Sequence, residues 1–104
     1  MVNKAGGWTF LTSHARVLLV IARDPTLTLR QVAATCRISE RTAQAVVADL
    51  EQAGYLHRQR VGRRNQYTLH LEGTFRHPAE AGISVRALVE IHDNRKAGTA
   101  PPPA

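Results

Sequence analysis

The sequence predicts a mainly α-helical chain closed by a small β-hairpin and followed by one further helix. Three observations predict it. Capping residues at Thr12 or Ser13, Thr28, Ser39 and Ser84 each precede an apolar run with helical spacing. Residues 66–71 alternate strictly, with Tyr67, Leu69 and Leu71 on one side and Gln66, Thr68 and His70 on the other, the two-residue period of a strand. Ahead of them, Gly62 and Asn65 are residues suited to a tight turn.

The first helix starts at the Thr12/Ser13 cap and runs to about Arg23, where Asp24-Pro25 ends it because the residue before proline resists helical backbone. Its residues Ala15, Val17, Leu18, Leu19, Val20, Ile21 and Ala22 point in nearly every direction. One side therefore faces the core and the other suits a partner subunit. Thr28 starts the second helix, with Gln31 three residues on completing a capping box. Leu29, Val32, Ala33 and Cys36 form its inner stripe. Only Arg37, Ile38 and Ser39 separate it from the third helix, which runs from the Ser39 cap to about Ala53 and stops at Gly54. Strands then follow over residues 55–61 and 66–71, joined by a Gly62-Arg63-Arg64-Asn65 tip. Residues 72–83 read as an irregular connector anchored by Phe75 and Ile83. The last helix spans 84–94, with Val85, Leu88, Val89 and His92 on one stripe and Ala87 and Ile91 widening it. A flexible arm over residues 1–7 and a disordered tail over 95–104 flank this single domain of residues 1–94.

The chain has 104 residues, a net charge of +6 and an isoelectric point near 10.7. That length makes one domain with a small core. The charge favours a polyanionic partner. The single cysteine, Cys36, leaves no internal disulfide and no clustered zinc ligands, which fits a reducing compartment. The opening MVNKAGGWTF does not read as a signal peptide, and the apolar run Val17–Ala22 is far shorter than the about 20 residues a membrane helix needs. The expectation is a cytoplasmic, nucleoid-associated protein without membrane contact.

Helix, helix, turn, helix, hairpin is the order of a winged helix-turn-helix. The stretch LRQVAATCRISERTAQAVVADLEQAGYLHRQRVGRRNQYTL, residues 29–69, resembles the DNA-binding core of bacterial MarR-type and ArsR-type transcription regulators. The opening WTFLTSHARVLLVIARDP and the later RHPAEAG are similar to short stand-alone regulators of this kind from actinobacteria. The resemblance runs from about Trp8 to His92. It implies a dimer that binds double-stranded DNA. In that pattern Ala33 lets the two helices approach, Ile38 closes the turn, and Ala43, Val46 and Leu50 fill the core. One departure stands out: Arg37 occupies a position where the family often has glycine. Left-handed backbone there costs arginine roughly 1 kcal/mol. Either the turn differs locally, or the arginine is tolerated because it points to a phosphate.

On the third helix, Ala43, Val46, Val47 and Leu50 share the buried face, leaving Arg41, Ala45, Ala48 and Gln52 outward with Gln44 flanking them. Long donors near the N-terminus with small residues behind them suit a major groove. Arg41 matches guanine O6 and N7, Gln44 matches adenine N6 and N7, and Ala45 suits a thymine methyl. Ser39 and Thr42 are placed for phosphate, as is Arg30 at the start of the second helix, since Gln31 is occupied by capping. In the hairpin, Arg63, Arg64 and Asn65 belong to the tip and Arg58 and Arg60 to one strand face, a wing contributing affinity to the DNA backbone or minor groove. Val17, Val20, Ile21, Leu88 and Ile91 are the candidates for a homodimer interface.

Other chemistries have little support. Ser13 and His14 are adjacent, which gives no triad geometry, and no glycine-rich phosphate loop is present. Glu90, His92 and Asp93 form no i, i+4 ligand pair, and His77 and Glu80 lie in the connector, so neither metal nor cofactor is expected. Cys36 reads as a small buried hydrophobe rather than a redox sensor. The alternative to a DNA-binding regulator is a winged-helix module that binds protein or RNA and uses its basic face only for steering. Whether a small-molecule effector exists is not encoded in any motif.

Overall fold

The computed structural model describes residues 7–97, with side chains described for residues 7–91. The expectations for residues 1–6 and 98–104, and for the His92 side chain, lie outside these. Three helices come first: α1 (Ser13–Arg23), α2 (Leu29–Cys36) and α3 (Glu40–Gln52). The antiparallel strands β1 (Leu56–Val61) and β2 (Arg64–Leu69) follow, then a 3-10 turn at Pro78–Glu80 and α4 (Val85–Ala97).

Local hydrogen bonds explain the helix boundaries. Thr12, not Ser13, caps α1, its hydroxyl accepting from the Ala15 N–H at 3.1 Å. The capping box on α2 is complete: Thr28 Oγ1 accepts from the Gln31 N–H at 3.1 Å, and Gln31 Oε1 accepts from the Thr28 N–H at 2.8 Å. Ser39 Oγ accepts from the Thr42 N–H at 3.0 Å to start α3, and Ser84 Oγ accepts from the Ala87 N–H at 3.2 Å to start α4. Each such cap contributes about 1 kcal/mol by satisfying an otherwise orphaned N–H. Past the end of α3, Gly54 takes φ +88°.

The turn between α2 and α3 resolves the Arg37 alternatives in favour of the family geometry. Arg37 is the one non-glycine residue with positive φ among the described residues (φ 59°, ψ 46°). Its N–H donates to the Ala34 carbonyl at 3.3 Å and the Ile38 N–H donates to the Ala33 carbonyl at 3.0 Å. This pair of bonds makes a Schellman stop with arginine where glycine is usual. Ile38 packs against the core directly beyond it.

The core gathers Val17, Leu18, Leu19 and Ile21 of α1, Val32 and Cys36 of α2, Val46, Val47 and Leu50 of α3, Leu56 and Tyr67 of the hairpin, and Val85 and Val89 of α4. All four predicted inner residues of α3, Ala43, Val46, Val47 and Leu50, are buried. α1 packs against α2, α3 and α4, and Val17 and Ile21 are 0% exposed. Two of the five dimer-interface candidates are thus core residues of a single chain and have no surface to offer a partner. Val20 and Leu88 are half-buried, while Ile91 is 67% exposed.

Three further boundaries differ from the sequence expectation. The hairpin tip has two residues, Gly62 and Arg63, because Val61 pairs with Arg64 and Arg60 with Asn65. Arg64 and Asn65 therefore lie in β2. Gly62 has φ +64° and Arg63 does not share the positive sign, the pattern of a two-residue turn with glycine first, whose twist matches the strands. The connector is anchored by half-buried Phe75, whose N–H donates to the Ile83 carbonyl at 3.0 Å, while the Ile83 side chain faces outward. Finally, α4 continues through Arg95, Lys96 and Ala97. These are good helix formers, and Gly98 is the first breaker.

Candidate nucleic-acid interface

The helix-turn-helix presents one flank of α3 outward. Arg41, Thr42, Gln44, Ala45, Ala48 and Gln52 are all exposed. The small side chains of Ala45 and Ala48 leave the helix backbone open to close approach. Arg41 and Gln44 make no hydrogen bond with the described side chains, so their donors are available for an outside partner. Ser39 and Thr42 are engaged with each other: the Ser39 hydroxyl donates to Thr42 Oγ1 at 3.0 Å while capping the helix. Both nevertheless sit at the N-terminus of α3, where unsatisfied N–H groups and the helix dipole favour an anion.

Arg30 stands at the start of α2 with its side chain 86% exposed, and its Nε donates to Glu40 Oε2 at 3.2 Å. An ion pair this exposed is worth little in water. It costs little to exchange for a phosphate. Nothing local in the sequence signals it, because the partners are ten residues apart on different helices.

The wing is held to the body at its base. Tyr67 is buried and its N–H donates to the Pro25 carbonyl at 3.0 Å, while the His70 N–H donates to the Tyr55 carbonyl at 2.8 Å. Glu51, near the end of α3, accepts from the Arg58 N–H at 3.2 Å and lies 3.8 Å from His57 Nδ1. α3 and the wing are thus linked through this carboxylate as well as through their packing. Strand alternation places Arg58 and Arg60 on the face shared with Leu56 and Tyr67, and Arg64 on the opposite face with His57 and Gln59. Arg58 is half-buried at the base. Arg60 reaches toward the apex, its Nε donating to the Gly62 carbonyl at 3.4 Å. Of the four arginines Arg63 alone rides the turn, exposed, and half-buried Asn65 is paired opposite Arg60. Three arginines thus surround the tip and the fourth supports its base.

Residues 9–64, just over half of the sequence and spanning α1 through the tip of the wing, match the model of the MarR family. The chain belongs to the MarR family. No curated protein matches the sequence. Among solved structures, Streptococcus pneumoniae FabT in complex with DNA is similar over 93% of this chain and 60% of its own, at 17% identity and a TM-score of 0.57. A Mycobacterium tuberculosis MarR family protein in complex with salicylic acid is similar over 86% of this chain and 62% of its own, at 23% identity and a TM-score of 0.52. Streptomyces coelicolor PcaV, solved with its natural ligand, is similar over 84% of this chain and 67% of its own, at 19% identity and a TM-score of 0.52. At these identities the likeness establishes the winged-helix fold. This MarR-family chain spans about 60% of the FabT chain's length.

Among the described residues no helix is long and apolar enough to cross a membrane. No group of three or more His, Cys, Asp or Glu side chains among them is arranged to hold a metal ion. Burial pushes the Cys36 thiol above its ordinary range, against a smaller lowering by Arg16. Both the raised pKa and the burial of Cys36 lower its thiolate fraction and its access to reagents.

Proposed function

We propose that this chain is a sequence-specific regulator of transcription that binds double-stranded DNA as a homodimer. The observation that carries the reading is the pairing of two surfaces. An α3 flank has uncommitted donors at Arg41 and Gln44 and small residues behind, and an arginine-surrounded wing tip follows on a hairpin whose base is tied to the end of α3 through Glu51. In this reading Arg41, Gln44 and Ala45 meet base edges. Arg30, Ser39, Thr42, Arg58, Arg60, Arg63, Arg64 and Asn65 serve the backbone, with Arg63 deepest at the minor groove. That FabT was solved with DNA supports the assignment.

The dimer surface in this proposal draws on exposed Ile91 with half-buried Leu88 and Val20, together with exposed Trp8 and Phe10 ahead of α1. Trp8 is 69% exposed and Phe10 is 92% exposed, and the two rings make an edge-to-face pair at 5.6 Å. Two-fold symmetry would then place two α3 helices about 34 Å apart on a pseudo-palindrome.

Selection from random duplex DNA at two salt concentrations tests the proposal. Enrichment of a palindromic motif, with affinity falling steeply with salt, is the expected result. Retention of duplexes without any enriched motif would leave only electrostatic steering and refute sequence-specific regulation.

A further inference from the structure

The surface proposed to meet DNA carries one acidic side chain in its reading turn. Glu40 is the first residue of α3, directly after the Ser39 cap, and is followed by Arg41. Its carboxylate is exposed and touches Arg30 Nε at 3.2 Å. At 100° per residue Glu40 and Gln44 lie on the same flank of the helix, one turn apart. Arg30 touches it, and Arg37 and Arg41 flank it along the chain. A carboxylate in a surface that meets a polyanion weakens binding to every sequence alike, unless it has a specific donor to accept from.

Within base-pair edges the donor that fits is the exocyclic amino group. Aspartate and glutamate accept from cytosine N4 in the major groove; guanine presents only acceptors there, and adenine N6 stands beside the N7 acceptor, which repels the second carboxylate oxygen. Residues at the N-terminal end of a recognition helix are the ones that reach base edges. The Arg30 contact supplies a second element. It sets the two groups side by side, weakly in water and more strongly once a bound duplex excludes solvent, and leaves Glu40 Oε1 without a bond to the described side chains. Arg30 and Glu40 can then act as a unit, the guanidinium turned to a phosphate and the carboxylate to the base beside it.

We infer that Glu40 is a specificity-determining residue that accepts from a cytosine amino group in each half-site, positioned by Arg30. The inference rests on the DNA-binding reading above and deepens it. Glu40 selects for cytosine by hydrogen bonding and against guanine and thymine at the same position, where carboxylate would face O6 or O4.

The test is selection from random duplexes with the wild-type chain, Glu40→Ala, Arg30→Ala and the double variant, followed by titration on the wild-type consensus and its single-base variants. The expected result is a cytosine at one position per half-site for the wild type. Glu40→Ala should lose that preference by about tenfold while the rest of the motif stands. Arg30→Ala should weaken all duplexes and blur the same position. If Glu40→Ala keeps the motif and binds every duplex more tightly by one factor, the carboxylate only repels, and the inference is overturned. A uniform loss in Glu40→Ala that is not additive with Arg30→Ala in the double variant would reduce Glu40 to a support for Arg30 and also overturn it. Failure of the wild type to enrich any motif would instead sink the DNA-binding reading itself, and this inference with it. Glu40 is on the surface, and circular dichroism of each variant verifies the fold.

Discussion

Replacing Arg37 by glycine should make the protein more stable. Arg37 holds φ 59° and ψ 46°, a left-handed conformation that costs a residue with a Cβ about 1–2 kcal/mol. Glycine removes that strain but returns about 0.4–1 kcal/mol through the freedom of the unfolded chain. The stop itself survives the change, because its bonds run from backbone N–H groups to the Ala33 and Ala34 carbonyls. The arginine side chain is exposed and forms no hydrogen bond with the described side chains, so little else is lost. The net gain is about 0.5–1 kcal/mol, which for a domain of this size raises Tm by roughly 2–8 °C. Thermal melts followed by circular dichroism measure it, with Arg37→Ala as the control that keeps the strain. An unchanged or lowered Tm for Arg37→Gly, or an equal rise for Arg37→Ala, would refute the reasoning. If the arginine is retained for a phosphate contact, Arg37→Gly should also bind DNA more weakly while being more stable.

Other outcomes follow from the core and the surface. Tyr67 Oη is buried without a hydrogen-bond partner among the described residues, so Tyr67→Phe should leave stability in urea unchanged or raise it by about 1 kcal/mol; a clear loss would mean the hydroxyl is bonded. The Cys36 thiol has its folded pKa raised by burial. The associated stability is therefore complete below the unfolded value of about 8.5 and is lost as pH rises through the folded value. Urea titrations between neutral and alkaline pH should show this loss in the wild type and less of it in Cys36→Ala. Iodoacetamide should label Cys36 only when the chain unfolds. Because Ile91 is 67% exposed in the single chain, Ile91→Arg should change its stability by no more than about 0.5 kcal/mol. It should nevertheless halve the mass seen by analytical ultracentrifugation, and an unchanged mass would remove Ile91 from the interface.

Helix starts were legible because capping is local: Thr28 with Gln31, and Ser39 with Thr42, lie within three residues and use standard geometry. The inner face of α3 was legible for the same reason, since its period is a property of one helix. The hairpin tip was less so. Gly62-Arg63-Arg64-Asn65 offers turn residues at both ends, and only the pairing of Val61 with Arg64 selects the two-residue turn. Val17 and Ile21 are fully buried on a helix that packs against α2, α3 and α4, and an all-round apolar helix cannot show which side another element will cover. The Arg30–Glu40 contact and the Glu51 link from α3 to the wing are tertiary in the same way. Their residues look like ordinary surface charges until the fold brings them together.

The central claim divides the labour: α3 discriminates sequence and the wing supplies affinity. The most direct test titrates wild type, Gln44→Ala and Arg63→Ala against the selected duplex and a one-base variant of it, across a range of salt. The account predicts that Arg63→Ala weakens both duplexes by the same factor and flattens the log–log salt slope by about 0.9. Gln44→Ala should keep the slope and lose about tenfold discrimination at one base position. The opposite pattern, with Arg63→Ala altering base preference and Gln44→Ala weakening both duplexes equally, would contradict it.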